Sequence, residues 1–336
     1  MSVSPDANGF RSSVCPRAST CSSIPLLMPS FLGSRRVLCV PAAVLAFSIL
    51  PSRLPLRAQA APPPMVVFDS FLNTRFFLTG ASPRIKEGGV LLAFAPPDPV
   101  QAVVRIRRGE TAVRELPARI TRRVGTMAEL AYRALNADLG PEEGERTLEL
   151  VVNGSVAGAM TFTVRRRSTG DAFDPSATWE LDGPWRTHAY IAHNPDGTGA
   201  DAGMRMRVWV SVHDLPDGKP APITLRGRVG GRPLFTTIRT QVSAPDFQFY
   251  DIPLSPDGSN ATLNAARMAG VNGTLTIDML QGQTVLRTFS LPVINGSFGE
   301  HPLSALDTKE PLRFLSPRVM STGGVISQWR RYWMTR

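Results

Sequence analysis

The chain has 336 residues, of which 43% are apolar and 19% charged, enough for packed cores and too apolar for a disordered chain. Its length suits two ordinary domains. The net charge of +10 rests on 37 basic residues, of which only Lys86, Lys219 and Lys309 are lysines, and no single dense patch gathers them, which argues against a nucleic-acid partner.

Residues 1–60 read as an export leader. Arg35 and Arg36 precede the apolar run Val37–Leu50, whose 14 residues fall short of the roughly 20 that a spanning helix requires. Pro41 interrupts the run, Pro51 stops it, and Ala58-Gln59-Ala60 supplies a small-x-small cleavage site. Cleavage is expected after Ala60, with the protein periplasmic, on the cell surface or secreted. The alternative is an anchor through an uncleaved leader. A start at Met28 would shorten the long n-region to "MPSFLGSRR", and Ser34–Leu38 resembles a twin-arginine signal in its arginine pair. Cys15, Cys21 and Cys39 all lie in the leader, so the exported chain would carry no disulfide, thiolate metal site or cysteine nucleophile. Six of the 37 basic residues and one of the 27 acidic ones also lie there, which leaves 31 and 26 and a net charge of about +5.

After the leader, β-branched and aromatic runs alternate with Gly, Asp, Asn and Pro turns. In "RMRVWVSVH", Met206, Val208, Val210 and Val212 point one way and Arg205, Arg207, Trp209 and Ser211 the other, the period of a strand with one face in a core. Helical periodicity is scarce, with a short helix expected in the loop Ala261–Met268. "VFDSFLNTRFFL" (Val67–Leu78) aligns without gaps to "ELDGPWRTHAYI" (Glu180–Ile191), sharing Asp at the third place and Thr at the eighth. "VVRIRRGE" (Val103–Glu110) aligns to "TLRGRVGG", "ELAYRAL" to "QFYDIPL", "RTLELVVNG" to "GTLTIDMLQG" and "TFTV" to "TFSLPV", in the same order, with offsets of 113 to 127 residues. The chain is therefore expected to be all-β, with two tandem immunoglobulin-like or fibronectin-like sandwiches at 61–167 and 178–297, a linker at 168–177 and an irregular, Pro-containing tail at 298–336. A jelly roll is the competing sandwich.

Several motifs have plain readings. The Pro-Asp-Gly triplets at 195–197, 216–218 and 256–258 are turn signals, as are the Asn-Gly pairs beginning at Asn153, Asn272 and Asn295 and the "NAT" at Asn260. "NPDGTGAD" carries Asn194, Asp196, Thr198 and Asp201 but lacks the spacing of a calcium loop. His188, His193, His213 and His301 lack zinc-site spacing, so no metal or cofactor is expected. Trp185 and Trp209 could stack on a sugar ring or a partner, but a pair of sandwiches must cover something at its interface, and Trp209 is expected to lie under the linker, the other unit or the C-terminal tail. The end, "VISQWRRYWMTR", written as a helix, puts Val325, Trp329, Tyr332 and Trp333 on one stripe beside Arg330 and Arg331, a surface for an anionic membrane or a partner, unless it folds back and staples the second sandwich.

The resulting expectation is an exported, non-enzymatic interaction or structural module of the cell envelope, with a protein or an envelope polymer as partner. A carbohydrate-binding or glycan-processing accessory is the second reading, and a hydrolase with loop-borne carboxylates the third. Mass spectrometry of the exported protein is expected to place the N-terminus at Ala61, and recovery of exported chains that still contain Val37–Leu50 would refute cleavage.

Overall fold

Strict alternation of apolar and polar residues favours extended, paired backbone, and the fold is built almost wholly from antiparallel strands. The structure, a computed structural model, describes residues 63–167, 178–195, 197, 203–237, 239–256, 261–305, 310–322 and 325–336. The leader with Met28, Arg35, Arg36 and the cysteines, the linker 168–177, most of the Asn194–Asp201 loop and Asn260 lie outside them.

The first half contains β1 (Met65–Val67), β2 (Arg75–Phe77), β3 (Arg84–Ala93), β4 (Ala102–Arg108), β5 (Thr111–Pro117), β6 (Arg119–Val124), β7 (Met127–Asp138), β8 (Gly144–Val152), β9 (Ser155–Arg167) and β10 (Thr178–Asp182). Its first sheet has the order β1-β3-β7-β6, with β2 also on β3, and its second β10-β9-β8-β4-β5. The second half contains β11 (His188–His193), β12 (Met204–Val210), β13 (Ala221–Val229), β14 (Arg232–Thr236), β15 (Thr240–Val242), β16 (Gln248–Pro253), β17 (Gly273–Gln281), β18 (Thr284–Ile294), β19 (Ser297–Phe298), β20 (Val319–Thr322) and β21 (Val325–Thr335). The third sheet runs β16-β12-β11-β21-β20, and the fourth β14-β13-β17-β18-β19 with β15 on β13. Among the described residues, helix is confined to short turns. The α-helical one, Ala265–Met268, is capped by the Asn264 side chain, which accepts the Arg267 N–H at 3.1 Å.

Set side by side, the halves repeat. The order β9-β8-β4-β5 in the second sheet matches β18-β17-β13-β14 in the fourth, and β2-β3-β7 in the first matches β11-β12-β16 in the third. The aligned blocks Val67–Leu78 and Glu180–Ile191 both fold as strand, 3-10 turn, strand. The Thr74 N–H bonds the Phe71 carbonyl at 2.9 Å, and the matched Thr187 N–H bonds the Pro184 carbonyl at 3.0 Å. The turns also touch: Trp185 Nε1–H donates to the carbonyl of Leu72, its own counterpart in the alignment, at 2.9 Å. At Asn153-Gly154 and Asn295-Gly296, φ values of 48° and 84°, and of 48° and 77°, make the tight hairpin turns expected of Asn-Gly.

One core, with Val104, Ile106, Leu130, Leu148 and Phe162, lies between the first two sheets, and a second, with Met206, Val208, Leu225, Ile277 and Phe289, between the other two. The described body is nonetheless one compact unit. Strand β10, which follows the linker in sequence, joins the first half's sheet, with Trp179 and Leu181 in its core. Antiparallel sheets usually leave one face to water. The third sheet does not. Ala189, Ile191, Met206 and Val208 face the second core, while Tyr190, Ala192, Trp209 and Trp333 face the first half and join its core.

The C-terminal expectation is corrected here. Val325–Thr335 is not a helix but strand β21, and the tail from 298 is not irregular throughout, since β20 and β21 complete the third sheet. Residues His188–His193 of β11 pair with Arg330–Thr335 along six positions. An open edge of backbone donors and acceptors outweighs the marginal helicity of twelve residues. Alternation then separates Tyr332 from Trp333, and the helical stripe does not exist.

One buried cation ties the turns to the sheets. Arg287 on β18 is 3% exposed; its Nη1 donates to the carbonyls of Trp185, at 3.1 Å, and Trp209, at 2.8 Å, while Nη2 pairs with Asp214. Asp214 also accepts from Arg186 Nε at 2.7 Å and from the Ser211 N–H at 2.9 Å. Arg287→Ala would leave Asp214 and two carbonyls short of a donor in a buried site, so urea unfolding is expected to show a loss of about 3–5 kcal/mol. A change under 1 kcal/mol would refute that role.

Candidate functional site

The outward face of the third sheet carries a band of aromatic and arginine side chains, because strand alternation puts them all on one side. Tyr190 on β11 lies opposite both Arg207 of β12 and Trp333 of β21, and Trp209 lies opposite Phe249 of β16. Tyr190 and Trp333 have ring centres 4.5 Å apart, Trp209 and Phe249 5.4 Å, and Trp209 and Trp333 lie parallel at 6.4 Å. The Arg207 guanidinium sits 5.8 Å from the centres of the Tyr190 and Phe249 rings and 5.4 Å from that of Trp329, and Arg331 sits 5.7 Å from Tyr190. Asp251 offsets part of this charge, accepting from Arg207 Nε at 3.2 Å and lying 3.0 Å from Arg205 Nε.

The first half covers most of this band and leaves a cleft of about 530 Å³. Its floor is Tyr190, Trp209, Phe249 and Arg331. The facing wall comes from the 3-10 turn Phe68–Asn73, which presents Asp69, Ser70 and Asn73, and from Thr121 on β6 and Glu129 on β7. Gly89 and Ala131 line the same wall and keep it set back. Asn73 Oδ1 accepts from Trp209 Nε1–H at 3.4 Å, joining wall to floor. A space of this size, with aromatic faces and a few convergent polar groups, has the form of a small-molecule site, which typically spans roughly 300–1,000 Å³.

Asp69 clamps the closed end. Its carboxylate accepts the Ser316 N–H at 3.1 Å, the Ser316 hydroxyl at 3.4 Å and Arg331 Nη1 at 3.3 Å. Burial pushes its carboxyl above the usual range, while Arg331 and Ser316 pull it back. With both oxygens engaged, Asp69 holds β21 in place and fixes the Arg331 guanidinium over Tyr190.

Of the residues singled out in sequence, the cleft brings together Trp209 and Arg331. Trp333 lies behind Trp209, its Nε1–H donating to the Ser316 carbonyl at 3.1 Å, and Trp329 packs under Arg207. Tyr332 faces the second core, where its hydroxyl accepts from Arg318, and Arg330 shares its side of the strand. Trp185 is fully buried away from the cleft, stacked on Phe247 at 5.1 Å. Trp185 and Trp209 are 0% and 2% exposed, so neither is an exposed stacking platform; Trp209 is covered by the first half and the C-terminal strand, the other course open to it from its sequence. Phe249, 43% exposed at the cleft mouth, is the exposed ring of this band. Tyr190 had a signal in its alternation with Ala189 and Ile191. Asp69 was marked only as the Asp shared by the aligned blocks, and Phe249, Asn73, Thr121 and Glu129 had no signal, since these residues meet only across strands and between halves.

A second cavity, of about 760 Å³, is lined by Phe68, His188, His301, Leu303, Arg313 and Arg336 among others. His188 Nδ1 lies 3.1 Å from the Pro184 carbonyl and its ring 5.2 Å from that of Phe68. Burial, aided by the nearby His301 and Arg313, lowers its pKa to about 4.

No protein-family model matches the chain, and no curated protein matches it.

Because the folded pKa of His188 lies below the unfolded value, the unfolded chain binds the extra proton first. The neutral imidazole's contribution is complete above the unfolded pKa of 6.5 and is lost as pH falls through about 4. Its full size is about 3 kcal/mol. Urea unfolding across this window is expected to show stability falling with acid, with a shallower slope in His188→Asn; identical slopes would refute the assignment.

Proposed function

We infer that the protein is an exported, non-catalytic binding module of the cell envelope, built from two tandem immunoglobulin-like or fibronectin-like sandwiches, and that its binding site is the cleft between the first and third sheets. The observation that carries this reading is the composition of the cleft's walls. Both halves contribute: Asp69, Asn73, Thr121 and Glu129 come from the first, and Tyr190, Trp209, Phe249 and Arg331 from the second. The matching strand orders and matching 3-10 turns support descent from a duplicated unit, and a duplicated pair that shares one sheet face naturally creates such a site.

The arginine pair, the short apolar run and the small-x-small site within residues 1–60 support an envelope or extracellular location. The engagement of both Asp69 oxygens by Ser316 and Arg331 supports a binding role over an acid-base one, because a catalytic acid must turn its proton toward the ligand. The helical stripe that motivated contact between the C-terminal end and a membrane is absent, its aromatic side chains serve the two cores, and Arg331 joins the cleft floor.

Immobilised protein is expected to retain a component of a cell-envelope extract, and Thr121→Arg, which fills the mouth of the cleft from an exposed strand, is expected to lose it. Equal retention by the variant would place the binding surface elsewhere. Hydrolysis of a retained polymer, abolished by Glu129→Gln, would overturn the non-catalytic reading.

A further inference from the structure

The geometry points to a neutral saccharide chain of equatorially linked hexose rings as the ligand of the cleft. This rests on the reading of the cleft as the binding site and names what enters it. The first observation is Phe249. A ring 43% exposed at the mouth of a cleft, continuous with Trp209 behind it, offers an apolar face to a ligand that is itself flat and apolar on one side. A hexose ring with equatorial substituents has such a face, made by its axial C–H groups, while its hydroxyls point outward around the rim.

The second observation is the character of the polar groups. The cleft offers acceptors at Glu129 and Asn73, a hydroxyl at Thr121, and donors at Asn73 and Arg331, in reach of a ring held over aromatic side chains. Both kinds are needed, because each sugar hydroxyl donates and accepts. Charge selects against the other ligand classes. Arg331, the guanidinium that lines the cleft, is paired with Asp69, while Arg205 and Arg207 share Asp251 outside the lining, and Glu129 would repel a phosphate or a carboxylate. A cationic side chain would find the Tyr190 ring already taken by Arg207 and Arg331 and would meet Arg207 beside the Phe249 ring, whose exposed part is left to a neutral ligand. A lipid tail would leave the carboxylates and the amide of the wall desolvated and unpaired.

The test titrates the protein with cellohexaose, with the hexamer of β-1,4-linked N-acetylglucosamine and with maltohexaose, reading tryptophan fluorescence and calorimetric heat. One or both β-linked hexamers are expected to bind, with maltohexaose at least roughly tenfold weaker. Phe249→Ala is expected to weaken binding roughly tenfold, as befits loss of one stacked ring, and Thr121→Arg to abolish it. Both positions are solvent-accessible, and unchanged thermal unfolding of each variant confirms an intact fold. If neither β-linked hexamer binds while an envelope component is still retained and lost in Thr121→Arg, the saccharide assignment is overturned and the cleft stands. If the hexamers bind both variants as well as the parent, the sugar site is elsewhere and the assignment falls. If neither sugar nor extract component is retained, both readings fall.

Discussion

The third sheet is buried on both faces, and most of the architecture answers to that constraint. Its inner face is apolar and packs on the fourth sheet, as in any two-layer β structure. Its outer face carries Arg205, Arg207, Trp209, Arg331 and Trp333, which cannot be buried without partners. Each guanidinium accordingly has a carboxylate or an aromatic ring against it: Asp251 for Arg205 and Arg207, Asp69 for Arg331, and Tyr190 between them. The charged groups of this face are thus matched across it, and the first half must sit where Asp69 and Asn73 can reach them.

The two matched 3-10 turns set that position. The first presents Asp69 and Asn73 toward the third sheet, and the second places Trp185 against the first turn. Arg287 then fixes the second turn and β12 together by donating to the carbonyls of Trp185 and Trp209. A buried arginine costs desolvation, and it is tolerated here because its donors meet two carbonyls and a carboxylate. The same bonds hold Trp209 at the base of the cleft, so the stability of the junction and the shape of the site share their supports.

The C-terminal strand belongs to both. β21 closes the edge of β11, supplies Trp333 as backing for Trp209, and delivers Arg331 to the cleft floor. A cleft that needs the first turn, the central strands and the last strand is assembled only when the whole described body has folded.

What the amino-acid sequence determined alone was local. The period-two pattern of β12 set its two faces, the Asn-Gly pairs set two hairpin turns, and the order of similar blocks anticipated the repeated strand order, because each depends on neighbouring residues and backbone preferences. The tertiary structure decided the rest. "VISQWRRYWMTR" carries residues that suit either helix or strand, and only the open edge of β11 made it a strand. Trp185 and Trp209 look the same in sequence whether they face water or a neighbour, and packing buried them. The cleft could not be read in advance because Asp69, Glu129, Tyr190 and Phe249 stand far apart in the chain. They converge through cross-strand register and contact between the halves, which long-range burial sets and local sequence does not encode.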